Sequence, residues 1–350
     1  MVFKTGRRRS IRFEQSSSIR FTALRLMAAM ALFGLTAAAG SASEPGKTVG
    51  PNACAECHKE ETEAWKQTHH FKTFRELPRR KEASEIAKKM KVRRIKSESL
   101  CLTCHFTVEK KKNRAKPIAG VSCESCHGSG KAWIKVHSEF SGKTEQTETK
   151  AEEAARWKKA DALGMIRPRS LYRLAKNCYS CHVVPQEKLV NVGGHPAGSP
   201  FELLSWSQGE VRHNTWYSKG SENKPADAAR KRILYLVGRA VDLETAIRAI
   251  GKATARKLYA FEMAKRADRA RKDLAAAAKA APDVPELAKI VQLSHSAGLK
   301  LNNDPALTAA ADGIAKQILS LTEKYDGSKM AGVDSLLPGP DKYKGEARTK

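Results

Sequence analysis

Every cysteine in this 350-residue chain lies in a Cys-x-x-Cys-His run, and there are four such runs. They are Cys54-Ala55-Glu56-Cys57-His58, Cys101-Leu102-Thr103-Cys104-His105, Cys123-Glu124-Ser125-Cys126-His127 and Cys178-Tyr179-Ser180-Cys181-His182. Two thiols three residues apart, with an imidazole directly behind them, are the groups that attach a c-type haem. The thiols add to the two vinyl groups of one haem, and the His binds the iron from the proximal side. The spacing therefore predicts four covalently attached haem c groups. Cys54, Cys57, Cys101, Cys104, Cys123, Cys126, Cys178 and Cys181 are the attachment points, and His58, His105, His127 and His182 the proximal iron ligands. Zinc is the main competing chemistry, because zinc ribbons also use Cys-x-x-Cys pairs, but they require no His after each pair. A disulfide framework requires none either.

Six of the ten histidines remain once the proximal four are assigned. A second imidazole on the far side of an iron makes it six-coordinate and suits it to outer-sphere electron transfer; a missing one leaves a position for a small substrate. His70, His137, His195 and His213 are the candidate distal ligands, with His69 as the alternative to His70. His69 and His70 follow the first motif on a predicted helix with Trp65. His137 lies ten residues past His127 beside Trp133, Ile134 and Val136. His195 stands between Gly194 and Pro196, where backbone can approach a haem edge; an ordinary turn histidine is the plainer reading. His213 has Trp206, Trp216 and Tyr217 nearby, which suit a haem face or a packed core. His295, in a later helical stretch, reads as structural or exposed. No residue is assigned a catalytic role.

The N-terminus sets the compartment. Seven basic residues from Lys4 to Arg25 precede an apolar, Ala-rich run over 26–39, and Gly40 and Ala42 are spaced for cleavage near Ala42. The apolar run is short for a retained anchor. A secretory signal peptide over 1–42, a periplasmic location and no transmembrane segment in the mature chain are expected. Formal charge is +27; residues 1–42 hold seven basic and one acidic side chain, so the remainder keeps about +21. Eight haem propionates would bring that to about +13. Such a surface steers acidic partners, so periplasmic redox proteins with acidic docking surfaces are expected. Nucleic acid is excluded as a partner by the compartment and the lack of a recognition motif.

The elements that must hold these residues read as mainly α with little β: a multihaem cytochrome domain followed by a C-terminal helical bundle. Lys81–Lys96 has helical spacing of apolar residues, and a second helix starts at Thr149. The second and third motifs are separated by a short tether and are expected to lie close. From about Pro225, segments rich in Ala, Leu, Lys and Arg predict helices over 228–241, 243–281, 284–299 and 305–325. The expected division is a signal peptide over 1–42, a tetrahaem domain over 43–220, a helical domain over 221–335 and a disordered tail over 336–350.

Two motifs extend beyond the attachment residues. The first is followed by Ala64-Trp65-Lys66-Gln67-Thr68-His69-His70; the third sits in Gly120-Val121-Ser122-Cys123-Glu124-Ser125-Cys126-His127-Gly128-Ser129-Gly130 with His137 beyond. On these residues the chain resembles the tetrahaem cytochrome c-554 family, multihaem c-type cytochromes related to hydroxylamine oxidoreductase-like proteins, over about residues 52–185. The resemblance implies a predominantly helical protein with haems in close-packed pairs, passing electrons from a periplasmic oxidoreductase to smaller cytochromes. It also points to His70, five residues past Trp65, as an axial ligand, and to His137 as a ligand to a haem other than its neighbour. In the family's best-known form the second haem has no distal ligand. Here His195 and His213 supply two more candidates, and the helices after about residue 225 are an addition. The expected function is a periplasmic tetrahaem electron carrier with mostly bis-His haems. The alternative is a multihaem reductase or oxidase of a small nitrogen or sulfur compound at a five-coordinate haem.

Overall fold

The computed structural model describes residues 44–349. The expected signal peptide lies outside the described residues. Fifteen helices and one two-stranded hairpin make the described chain mainly α. Its first part is built from short pieces: α1 (Pro51–Ala55), α2 (Lys59–Lys66), α3 (His69–Glu76), α4 (Lys81–Lys89) and α5 (Ser99–His105). The antiparallel strands β1 (Thr107–Lys111) and β2 (Arg114–Ala119) follow. Lys112 and Asn113 both take positive φ in the turn between them, which matches the twist of a tight hairpin. Next come α6 (Cys123–His127), α7 (Ile134–Ser138), α8 (Lys150–Ala162), α9 (Leu171–His182), α10 (Glu187–Asn191) and α11 (Leu203–Ser207).

Four longer helices complete the chain: α12 (Ala228–Lys252), α13 (Leu258–Ala280), α14 (Pro285–Ser296) and α15 (Asp304–Lys324). Their starts follow local chemistry. Asp227 caps α12 by accepting the Arg230 N–H at 2.7 Å, and Pro285 and Pro305 stand in the first turns of α14 and α15, where no backbone donor is needed. At α8 the Thr149 side chain accepts from Glu152 N while the Glu152 carboxylate accepts from Thr149 N, a reciprocal cap.

One expected break is misplaced. Periodicity divides the region near Val241, yet α12 runs on to Lys252. Asp242, which reads as a punctuating residue, is buried inside the helix because Arg266 of α13 is ion-paired with it. The chain turns instead at residues 253–257. There the Glu187 carboxylate accepts from Thr254 N at 2.8 Å, Thr254 Oγ1 at 2.8 Å and Ala255 N at 3.0 Å.

Apolar burial is concentrated in the second half. One cluster of buried residues runs from Leu171 to Val333, with Leu236, Val237, Ala240, Val241 and Ile247 of α12 at its centre. Most of α12 is buried, the charged Arg239, Asp242 and Glu244 included, because α9, α11, α13 and α15 surround it. Because α9 carries the fourth motif, that motif shares a core with the C-terminal helices. The first half holds only the small cluster Leu102, Phe106 and Val108 besides isolated buried residues.

The segment expected as a disordered tail is tied down. Lys344 O accepts from Glu210 N at 2.8 Å and Lys344 N donates to Ser205 O at 3.2 Å. Arg348 O accepts from Asn223 Nδ2 at 2.8 Å, and its guanidinium meets Glu60 at 2.9 Å. Proline and glycine here prevent a long helix or strand but leave backbone groups free to pair with other loops.

Leu236 has no exposed surface. Leu236→Ala is expected to cost about 2–5 kcal/mol in guanidinium unfolding followed by circular dichroism. A cost under about 1 kcal/mol would mean the helices do not form one close-packed core.

Candidate haem-binding centre

In a helix, residues i, i+3 and i+4 share a face, so a Cys-x-x-Cys-His run on a helix turns both thiols and the imidazole one way. The second motif occupies the end of α5, the third the whole of α6 and the fourth the last turns of α9. The first spans the end of α1 and the N-cap of α2. All eight thiols are free.

Each motif histidine faces one of the other candidates. Ring centroids are 6.2 Å apart for His58 and His137, 6.2 Å for His105 and His195, 6.1 Å for His127 and His213, and 6.1 Å for His182 and His70. Two imidazoles on opposite sides of one metal, with metal–nitrogen bonds of about 2.0–2.1 Å, place their centroids about 6–6.5 Å apart. The four separations fit that span. His69 turns away: its side chain is mostly exposed and its Nδ1 meets the Glu210 carboxylate at 2.6 Å. His295 is exposed beside Arg271.

Distinct local devices hold the four partner histidines. Thr68 caps α3 by accepting from Phe71 N at 3.2 Å, which starts the helix on His69 and His70. Val121 N then donates to His70 O at 3.1 Å. Only glycine fits before it, because a Cβ on Gly120 would lie 2.2 Å from that same oxygen. His137 lies in the last turn of α7, and Arg156 donates to its carbonyl at 2.7 Å while ion-paired to Glu148. Gly194, at φ +78°, turns the chain so that His195 N reaches Leu189 O at 3.2 Å. The His213 loop is pinned by Asn223, whose side chain accepts from Asn214 N at 2.8 Å and donates to Arg212 O at 2.8 Å.

Ring tautomers follow from the second nitrogen. Nδ1 lies 2.9 Å from Ile166 O in His127, 2.6 Å from Ile134 O in His137, 2.8 Å from Pro196 O in His195 and 2.7 Å from Val211 O in His213. A carbonyl can only accept, so Nδ1 carries the proton and Nε2 keeps its lone pair for a metal. The fourth motif differs. His182 Nδ1 is 2.7 Å from Ser199 Oγ, and Ser199 O accepts from Arg266 at 2.9 Å. Burial pushes His105 and His127 down to about 4 and His182 to about 3, and it lowers His70 and His137 as well, so these rings stay neutral as ligands must.

Two buried indole N–H groups, Trp133 Nε1 and Trp206 Nε1, have no partner among the described residues. Trp133 packs edge-on to His137 at 5.3 Å and Trp206 to His182 at 4.9 Å. Orphaned donors beside these rings suit a cofactor that brings its own acceptors, as haem propionates do. Zinc fits less well. Among the described residues, no three His, Cys, Asp or Glu side chains gather as a metal-ion site.

The second and third motifs lie close, as the short tether suggests: Thr107, two residues past His105, meets Ser122 Oγ at 2.7 Å and Ser125 Oγ at 2.9 Å. Their thiols nevertheless face other motifs. The Cys54 and Cys123 thiols are neighbours, as are those of Cys104 and Cys181. Cys126 of the third motif lies near Cys178 and Cys181 of the fourth, where Asn177 also donates to Ser125 O at 2.6 Å. The motifs thus run first, third, fourth, second. The short tether between the second and third is used by the β1–β2 hairpin, which leaves and returns without pairing their thiols.

Comparison with known proteins comes out along the same lines. The family described as cytochrome c554 and c-prime matches residues 53–128. Cytochrome c-554 of Nitrosomonas europaea is 27% identical over 168 residues, covering 45% of this chain and 66% of that protein. This chain therefore spans slightly less than two-thirds of that relative's length. No solved structure matches. The matches support a relationship to the cytochrome c554 family and haem c as the class of cofactor.

One residue inside the third motif escaped the spacing rule, which leaves its two middle positions undefined. The buried Glu124 carboxylate accepts from Val49 N at 2.9 Å, Gly50 N at 2.7 Å and Gly130 N at 2.6 Å. Acidic character at a variable position is the only signal the sequence offered. Glu124→Ala leaves three donors without their acceptor and is expected to lower stability by about 3 kcal/mol or more, read from thermal unfolding. Glu124→Gln, which keeps one acceptor, should lose less; equal losses would assign the effect to packing alone.

Proposed function

We propose that the chain is a periplasmic tetrahaem c-type cytochrome that carries electrons between redox proteins, with an imidazole on both sides of every iron. The observation that carries this reading is the set of four like ring separations, 6.1–6.2 Å, each joining an attachment-motif histidine to a histidine from elsewhere in the chain. On this reading His58 pairs with His137, His105 with His195, His127 with His213 and His182 with His70. Bound haem supplies a one-electron ferric/ferrous couple at each position.

The chain's own residues do the rest. Eight thiols tether, eight imidazoles ligate, and Nδ1 hydrogen bonds orient the rings of His127, His137, His182, His195 and His213. Motif order makes the sequence first, third, fourth, second the expected path through the protein, with the first and second at its ends. The basic surface favours acidic partners, and no helix among the described residues is long and apolar enough to cross a membrane. Export with removal of residues 1–42 places the carrier where such partners and the haem-attachment machinery operate. That the His105–His195 pair is spaced like the other three weighs against a small-molecule reaction at an open second position.

Electron paramagnetic resonance of the oxidised protein tests this directly. All signals are expected to be low-spin, and a pyridine haemochrome assay is expected to give four haems per chain. His195→Ala should convert one haem in four to a high-spin form. A high-spin signal in the unaltered protein that responds to cyanide or nitric oxide would favour the small-molecule enzyme instead.

A further inference from the structure

The path's second-motif end lies beside an apolar patch that is exposed among the described residues. Val192 follows α10 and is 54% exposed; Leu258 and Phe261, one turn apart at the start of α13, are 54% and 48% exposed. Such side chains cost about 1.5–3 kcal/mol each when left in water rather than buried. The two elements are stitched together at this edge. Tyr259 N donates to Asn191 Oδ1 at 3.0 Å, and Glu187 of α10 caps the turn before α13. Val192 is three residues from His195, so the patch adjoins the backbone that presents that ring to His105.

The surround is basic. Lys188 lies one turn before Val192, whose N–H it accepts, and Lys257 stands in the same relation to Phe261. Arg256 and Lys252 are exposed in the same turn, and the Lys89 ammonium lies against Gly194. The nearby carboxylates are engaged: Glu187 with the backbone of Thr254 and Ala255, Glu262 with Lys265 at 2.9 Å, and Asp304, beside Gly251, with the Thr308 hydroxyl at 3.1 Å. Uncompensated cations therefore ring an apolar centre.

We propose that this face docks an acidic one-electron redox protein, one with an apolar contact centre rimmed by carboxylates, and that electrons cross there at the His105–His195 position. The inference rests on the electron-transfer reading above. Charge complementarity selects the occupant. A second copy of this chain would bring the same cations to face these ones, and like charges across an interface cost affinity. In each encounter one electron passes: the partner is oxidised by one equivalent, the chain reduced by one, and no bond or proton is exchanged.

Reduced plant-type ferredoxin, an acidic one-electron donor, is the probe, with reduced methyl viologen as a small donor that needs no docking face. Oxidised ferredoxin and the oxidised holoprotein are titrated calorimetrically at low ionic strength, and reduction is followed by stopped flow. Leu258→Glu/Phe261→Glu is expected to weaken binding and slow reduction by ferredoxin about tenfold or more, while reduction by methyl viologen and the haem spectrum stay unchanged. Lys188→Glu/Lys257→Glu, which leaves the apolar centre intact, is expected to flatten the salt dependence of the ferredoxin rate. Lys150→Glu on α8 serves as the control and should change neither.

Binding and rates that are equal in all variants, or no binding by the unaltered protein, would overturn the docking face. Loss of co-sedimentation with phosphatidylglycerol vesicles in the variants, with ferredoxin binding intact, would assign the patch to a membrane surface and overturn it too. Failure of methyl viologen to reduce the unaltered protein would instead overturn the electron-transfer reading itself.

Discussion

Four pairs of imidazole rings held about 6 Å apart are the constraint on which the first half of the chain depends. Two neutral rings have little attraction of their own at that separation, so the surrounding chain must hold each of them. It does so with hydrogen bonds at Nδ1 and at the neighbouring backbone, using a different device for each partner. Residues far apart in sequence are thereby joined: His70 to His182 and His58 to His137. Each pairing spans a loop whose closure entropy the fold must offset, and a shared metal on a tethered cofactor would offset it strongly.

That constraint accounts for the uneven distribution of apolar burial. Residues 44–170 form short helices with few buried side chains, and polar ties such as Glu124 and Arg156 do much of the joining. Residues 171–333 form an ordinary close-packed helical core. A chain expected to wrap cofactors can leave apolar volume to them, whereas a part without attachment motifs must supply its own. The low aromatic content, 6%, is spent accordingly, with Trp133, Trp206 and Trp216 packed against histidine rings.

Residue chemistry was legible from sequence wherever spacing alone determines it. The mainly helical class and the start of a helix at Thr149 are local patterns that need no knowledge of the fold, and the attachment runs and distal candidates were chosen on the same local grounds. Which thiols face one another was not legible, because the hairpin that brings the second and third motifs together at Thr107 and Ser125 leaves their cysteines turned towards other motifs. The continuity of α12 was hidden because Asp242 is a helix-interior residue only in the presence of Arg266, twenty-four residues away. The ordering of residues 336–349 depends on loops at Ser205, Glu210 and Asn223 that composition does not connect to it. Choosing between His69 and His70 needed Glu210, which captures the first and leaves the second facing His182.

The C-terminal helices do more than extend the chain. Arg266 of α13 is ion-paired with the buried Asp242 of α12 and donates to Ser199 O, while the Ser199 hydroxyl meets His182 Nδ1. A buried ion pair contributes little net stability, since desolvation offsets most of its attraction. Its value here is positional: two helices with no attachment motif set the loop that orients the fourth motif's imidazole. Tyr179, within that motif, is fully buried under the same cation, 5.7 Å from the Arg266 guanidinium. The fourth motif is thus held from behind by a close-packed helical core, while the third is tied to it through Asn177 and to the segment before α9 through His127 and Ile166. Close packing therefore enters the path of motifs from its C-terminal side. The same α13 that anchors His182 at its middle presents Leu258 and Phe261 at its start, so one helix links the orientation of an interior ligand to the outer surface beside another.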